Sequence, residues 1–212
     1  LIVSYIVCCC STVPNASEGT SSFTMNGGSL TNVNGDIFFV NNTSSDISLS
    51  NANITNNDAN GVFLRAAAAG WGTSGSNGGK VNLRASSQAI NGNMIVDSIS
   101  TLNLYLNDNS TFTGAINPDG QSGNVYVELK NGSTWTLTAD SYVTSLTCDV
   151  NSINLNGHTL YVNGVAYNEN TISTGNAIEI KTSDSKNSDA KKSDAKGGSQ
   201  EKPSDGQSSK GT

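Results

Sequence analysis

The residues able to do chemistry are led by nine carboxylates in the central part of this 212-residue chain: Asp36, Asp46, Asp58, Asp97, Asp108, Asp119, Glu128, Asp140 and Asp149. Paired carboxylates can run general acid-base chemistry, and several carboxylate oxygens converging on one point can hold Ca²⁺. Neither arrangement is written in their spacing. They do not recur at a shared offset, and several sit in turn-like contexts, where Asp is favoured because it hydrogen-bonds nearby backbone. They read as turn acids, with Asp58 and Arg65, or Asp97 and Arg84, as candidate ion pairs. Of the four cysteines, Cys8, Cys9 and Cys10 are consecutive and only Cys148 lies further on, so no disulfide framework or zinc-ribbon spacing exists. The single His158 cannot build a zinc site alone. No Gly-x-Ser-x-Gly elbow is present. The run Trp71-Gly72-Thr73-Ser74-Gly75-Ser76-Asn77-Gly78-Gly79 lacks the Lys and following helix of a phosphate loop. These residues predict no catalytic group, no metal ligand and no cofactor. Ca²⁺ is compatible with the negative charge, but no residue set supports it.

What remains is recognition. Trp71 is the one large ring in the Gly-rich run, and an aromatic face suits the apolar face of a sugar ring as well as other flat ligands. Trp71 is therefore the candidate carbohydrate-binding residue, with burial against the core as its alternative role. Trp135 has a different setting. It shares a repeat position with Phe112 and Tyr161, which predicts an aromatic stack in a core or sheet face. Asn-x-Ser/Thr matches, such as those at Asn15, Asn42, Asn53, Asn109 and Asn131, are what a chain this rich in Asn, Ser and Thr supplies without further meaning.

The elements that must position these residues are short strands. Val125 to Leu137 reads V-Y-V-E-L-K-N-G-S-T-W-T-L, two period-2 alternations around an Asn-Gly corner. The same pattern is anchored at Leu83, Leu106 and Leu129, spaced by 23 residues, with looser copies at Met25, Leu49 and Leu155. A fixed period in this range marks stacked repeats. After each corner comes another short apolar piece, such as Phe38-Phe39-Val40 or Met94-Ile95-Val96. Three strands in about 23 residues form one rung of a parallel β-helix, because a strand that short cannot bury its face alone. The expected fold is all-β: a right-handed parallel β-helix of about six rungs, with three short strands per rung. Anchors stack inside it, and Ser, Asn and Thr hydrogen-bond along the corners. A β-sandwich has similar strands and turns but no fixed offset. One long interval, between Leu49 and Leu83, is filled by the Trp71–Gly79 run, which is expected to leave the wall as a protruding loop.

Three segments follow. Residues 1–19 hold the apolar stretch Leu1 to Cys10, too short to span a bilayer, which reads as a signal remnant or a capping strand. Residues 20–181 form the β-helix domain. Residues 182–212 are rich in Ser, Asp, Lys and Gly and cannot bury enough surface to order themselves, so a disordered tail or linker is expected. Charged residues are 13%, aromatics 6% and net charge is −6, which argues against nucleic acid, a partner that needs a basic stripe.

On the stretches Gly35 to Asn42, Asn56 to Arg65, Trp71 to Gly79, Asp97 to Leu102, Asp140 to Leu146 and Asn156 to Gly164, the chain resembles right-handed parallel β-helix proteins of the pectate-lyase-like superfamily. It is most similar to the secreted, non-catalytic, adhesin-like or carbohydrate-binding β-helix proteins of anaerobic bacteria. The resemblance covers about residues 20–170 and carries over no site residue. It implies a secreted or cell-surface module with a structural or adhesive role, binding polysaccharide or cell-surface glycan. The alternative it implies is a polysaccharide lyase or glycoside hydrolase.

Overall fold

The computed structural model describes residues 17–120 and 123–168. The apolar stretch before Ser17 and the expected tail from residue 182 lie outside the described residues. Within them the chain is a parallel β-solenoid of about six turns, with no helix among the described residues.

Each turn opens on a strand of one long sheet: β1 (Gly19–Asn26), β4 (Thr43–Ser50), β7 (Gly79–Ser86), β10 (Thr101–Asn107), β12 (Asn124–Leu129) and β15 (Ser145–Cys148). These six pair in that order, all parallel. The second strand of each turn builds a further wall: β2 (Ser29–Asn32), β5 (Asn53–Asn56), β8 (Ala89–Asn91), β11 (Thr111–Thr113), β13 (Thr134–Thr136) and β16 (Ile153–Asn154). The third wall holds β3 (Phe38–Val40), β6 (Leu64–Ala66), β9 (Met94–Val96), β14 (Ser141–Val143) and β17 (Leu160–Val162). In the fourth turn its place is taken by Ile116, bridged to Met94. A last strand, β18 (Val165–Ala166), folds back antiparallel on β17. No helix among the described residues is long and apolar enough to cross a membrane.

Alternation decides which residues enter the core. In the long sheet the row Phe23, Ile47, Leu83, Leu104, Val127 and Leu146 points inward, as does the row Met25, Leu49, Ala85, Leu106, Leu129 and Cys148. Middle members are fully buried, whereas Phe23, Met25 and Cys148 at the two ends are only partly covered. Aromatic residues add stacks. Phe112 and Trp135 lie parallel-displaced with centroids 5.3 Å apart, and the Trp135 indole Nε1 donates to the Gly114 carbonyl at 2.9 Å. Trp135 therefore has the buried stacking role expected of it.

The register corrects the expected anchors. Leu106 and Leu129 are stacked partners, but Leu83 stacks on Leu104, and Ala85 is the residue in line with Leu106. The last anchor, Leu155, is not in that row either; Cys148 is. Likewise Ile90, not Ala89, pairs with Phe112, and Ile153, not Tyr161, pairs with Trp135. Tyr161 instead stacks on Tyr142 in the third wall, at 4.8 Å. The reason is unequal turn length. Partners in successive turns are separated by 24, 36, 21, 23 and 19 residues. The corner after β10 holds two left-handed residues, Asp108 and Asn109, where the corner after β7 holds one, Ser87, so the frame slips by a residue there.

These corners use residues that tolerate positive φ: Gly27, Asn51, Ser87, Asp108 and Asn131 follow the long-sheet strands. Asn, Asp and Gly are the residues that adopt this region at low cost. Corner N–H groups that leave the strand ladder are met by side chains of the next turn. The Ala52 N–H donates to Gln88 Oε1 at 2.8 Å, the Gln88 N–H to Ser110 Oγ at 3.1 Å, and the Ser110 N–H to Ser133 Oγ at 3.1 Å. The expected corner ladder of polar side chains is thus present, with Gln88 holding the place assigned to Ser87.

Candidate functional site

The Gly-rich insert does leave the wall, but over different bounds. No strand forms between Ala66 and Gly79, and Thr73 to Ser76 are exposed, while Asn77, Gly78 and Gly79 are buried. Gly79 is the first residue of β7. A Cβ there would run into the Val40 carbonyl oxygen of the preceding turn, so a glycine is needed at that close approach. The loop is tied down by the Asn77 side chain, whose Nδ2 donates to the carbonyls of Ala69 at 2.9 Å and Trp71 at 2.7 Å. Trp71 itself is half-buried on this loop.

The expected ion pairs are replaced by others. Arg65 pairs with Asp36 at 2.6 Å, not with Asp58, and Arg84 lies 3.9 Å from Asp46, not with Asp97. Asp58 instead accepts from the backbone N–H groups of Gly35 and Asn60, which hold its carboxyl below the usual range. Asp97 accepts from the Ala68 and Ile99 N–H groups and from Ser100 Oγ. Asp140 accepts from the Thr159 N–H. These three acids work as cross-turn and turn acceptors, in keeping with their reading as turn residues. Among the described residues, no three of His, Cys, Asp and Glu come together to hold a metal.

A concave feature lies elsewhere, on the outward face of the long sheet near the ends of its strands. It is a cleft of about 700 Å³ running across five turns, with Thr24, Ser48, Arg84, Tyr105 and Glu128 in one outward row. Asn26, Ser50, Ser86 and Asn107 form the next row, with Lys130 and Asn131 in the corner beyond β12. Met25, Leu49, Ala85 and Leu106, whose side chains belong to the inward row, complete the lining between these rows. Strand spacing of about 4.8 Å makes five turns about 19 Å long. The centre is aromatic and cationic: the Arg84 guanidinium sits 4.7 Å from the Tyr105 ring centroid. Arg84 is steadied from behind by Asp46, which also accepts from Asn82 Nδ2 at 2.8 Å. Asn82 Oδ1 in turn accepts from Asn103 Nδ2 at 3.0 Å, so a row of amides supports the cleft. At the far end Lys130 Nζ lies 3.0 Å from Glu128.

A smaller recess of about 250 Å³ lies at the other corner, walled by the stacked Tyr142 and Tyr161 with Gly120, Gly123 and Gly164. Trp71 lines neither feature. Tyr105 and Arg84 were legible as outward residues, since they flank inward Leu104 and Leu83 by one position. Nothing in the linear pattern marked them as neighbours, because 21 residues and a corner separate them. Compared with models of protein families, with curated proteins and with solved structures, the chain matches none.

Proposed function

We propose that this chain is a non-catalytic, extracellular or cell-surface β-solenoid module that binds a polysaccharide strand along the long-sheet cleft. The observation that carries this reading is the cleft itself. It is a continuous trough parallel to the solenoid axis, with a ring at its centre and hydroxyl and amide groups at strand spacing on either side. A linear polymer repeats apolar ring faces and hydroxyls along its length, so a repeating scaffold can meet it at regular intervals. The resemblance to adhesin-like members of the pectate-lyase-like superfamily supports the same reading. The acids beside the trough are engaged with cations, Asp46 with Arg84 and Glu128 with Lys130, which suits a binding surface. Trp71 stands apart from the cleft, on the loop whose Gly72 packs against Asn42 before β4, and is a separate candidate aromatic contact.

The test is affinity electrophoresis of the full chain through gels cast with soluble polysaccharides, beside Tyr105→Ala. An aromatic contact contributes about 0.5–1.5 kcal/mol, and 1.4 kcal/mol is tenfold. Retardation of the native chain should weaken by up to about tenfold in Tyr105→Ala while its circular dichroism is kept. A folded Tyr105→Ala retarded as strongly as the native chain overturns the assignment of the cleft.

A further inference from the structure

We propose that the cleft selects a neutral polysaccharide strand over one carrying carboxylates or sulfates; this rests on the reading of the cleft as a glycan site. A carboxylated or sulfated sugar is recognised by a cation whose charge is still available to it. Neither cation of this cleft offers one. Arg84 faces Asp46 at 3.9 Å, and Lys130 faces Glu128 at 3.0 Å. Glu128 and Lys130 both line the trough and present an acceptor and a donor side by side, while Asp46, behind Arg84 and outside the lining, offsets the guanidinium charge from there. That is a match for a sugar hydroxyl, which donates and accepts at once.

An anionic substituent entering the same trough gains a guanidinium or ammonium but meets Glu128 within the lining and Asp46 behind Arg84. Like charges at such range oppose binding. The wider field has the same sign: the chain carries a net charge of −6, which repels a polyanion before contact. The rest of the trough is uncharged. Thr24, Ser48, Ser50 and Ser86 offer hydroxyls towards its first turns, and Asn107 and Asn131 offer amides towards the last. Tyr105 between them supplies the ring face.

Affinity electrophoresis of the full chain separates the cases. The probes are xyloglucan and mixed-linkage β-glucan as neutral strands, and polygalacturonate and alginate as anionic ones. Each is run at low salt and at about 1 M NaCl, where the screening length is about 3 Å. The expected result is retardation by at least one neutral glucan, changed less than about twofold by salt, with no retardation by the anionic strands at low salt. Retardation by polygalacturonate or alginate that salt releases overturns the neutral preference while leaving the glycan site standing. Absence of retardation in all four gels overturns both. Glu128→Gln frees Lys130 and should bring retardation by polygalacturonate at low salt into view. A folded Glu128→Gln that still ignores polygalacturonate shows that paired charge is not what excludes it, and overturns the argument.

Discussion

At the scale of the residue, burial and partners separate the two tryptophans. Trp135 is fully buried, stacked on Phe112 and hydrogen-bonded to the Gly114 carbonyl. Removing a ring in that position costs about 3–5 kcal/mol through lost transfer energy and the cavity left behind. Chemical denaturation of Trp135→Ala is expected to show a loss of that order with an unchanged m-value. Trp71 is half-buried, on a loop fastened by Asn77. Trp71→Ala is expected to shift the melting midpoint much less than Trp135→Ala does. If the exposed part of the ring touches glycan, as proposed, the same variant is also retarded less in the gels. A fall in midpoint as large as that of Trp135→Ala makes Trp71 a core cover and removes it as a binding residue.

At the scale of the element, stability of the walls depends on how corners are joined between turns. Gln88 is the clearest case. Its side chain accepts from the Ala52 N–H and donates to the Ala52 carbonyl, both at 2.8 Å, so one buried amide does the work of a strand pair across the 36-residue turn. Gln88→Ala leaves both Ala52 groups buried without that partner. An unsatisfied buried group costs about 1–3 kcal/mol, so urea denaturation should show a loss in at least that range. The loop carried by the same long turn is a second element with its own clasp. Asn77→Ala removes both side-chain bonds to the carbonyls of Ala69 and Trp71. Limited proteolysis is expected to cut the exposed Thr73–Ser76 stretch faster in that variant, with the walls intact.

At the scale of the whole molecule, turns contact mainly their neighbours, so stability is shared along the axis and weakest at its ends. Native-state hydrogen exchange should find β7, β10 and β12 the most protected and β1 and β16 the least. The first turn has a charged strap against this fraying. Glu18 accepts from Lys80 of the third turn at 2.6 Å and from Ser44 of the second at 2.5 Å. Burial pushes the Glu18 carboxyl up, but the bonds from Lys80 and Ser44 outweigh it and hold the group below its ordinary value. A carboxyl lowered on folding contributes stability above its unfolded value, and that contribution is lost as pH falls through the lowered one. Melting midpoints should therefore drop on acidification through and below the ordinary glutamate range. Glu18→Gln should show a smaller part of that drop, with earlier exchange in β1.

The sequence by itself determined the fold class, because its signals are local. Alternation such as Val125, Val127 and Leu129 selects a strand and its inward face. Asn131 and Gly132 accept the left-handed corner that follows. Repetition at a near-constant period turns those units into a solenoid, since none can bury its face alone. Tertiary structure decided what local signals leave open. Turns of unequal length shifted Leu83 onto Leu104 and Cys148 onto Leu129, because a turn closes wherever its ladder and core rows align, not at a fixed count. The partners of Arg65 and Arg84 were decided the same way, since charges 29 or more residues distant met across turns. The cleft around Tyr105 belongs to this second class as well. It is a surface assembled from a few residues of each of five turns, and it exists only once those turns are stacked in register.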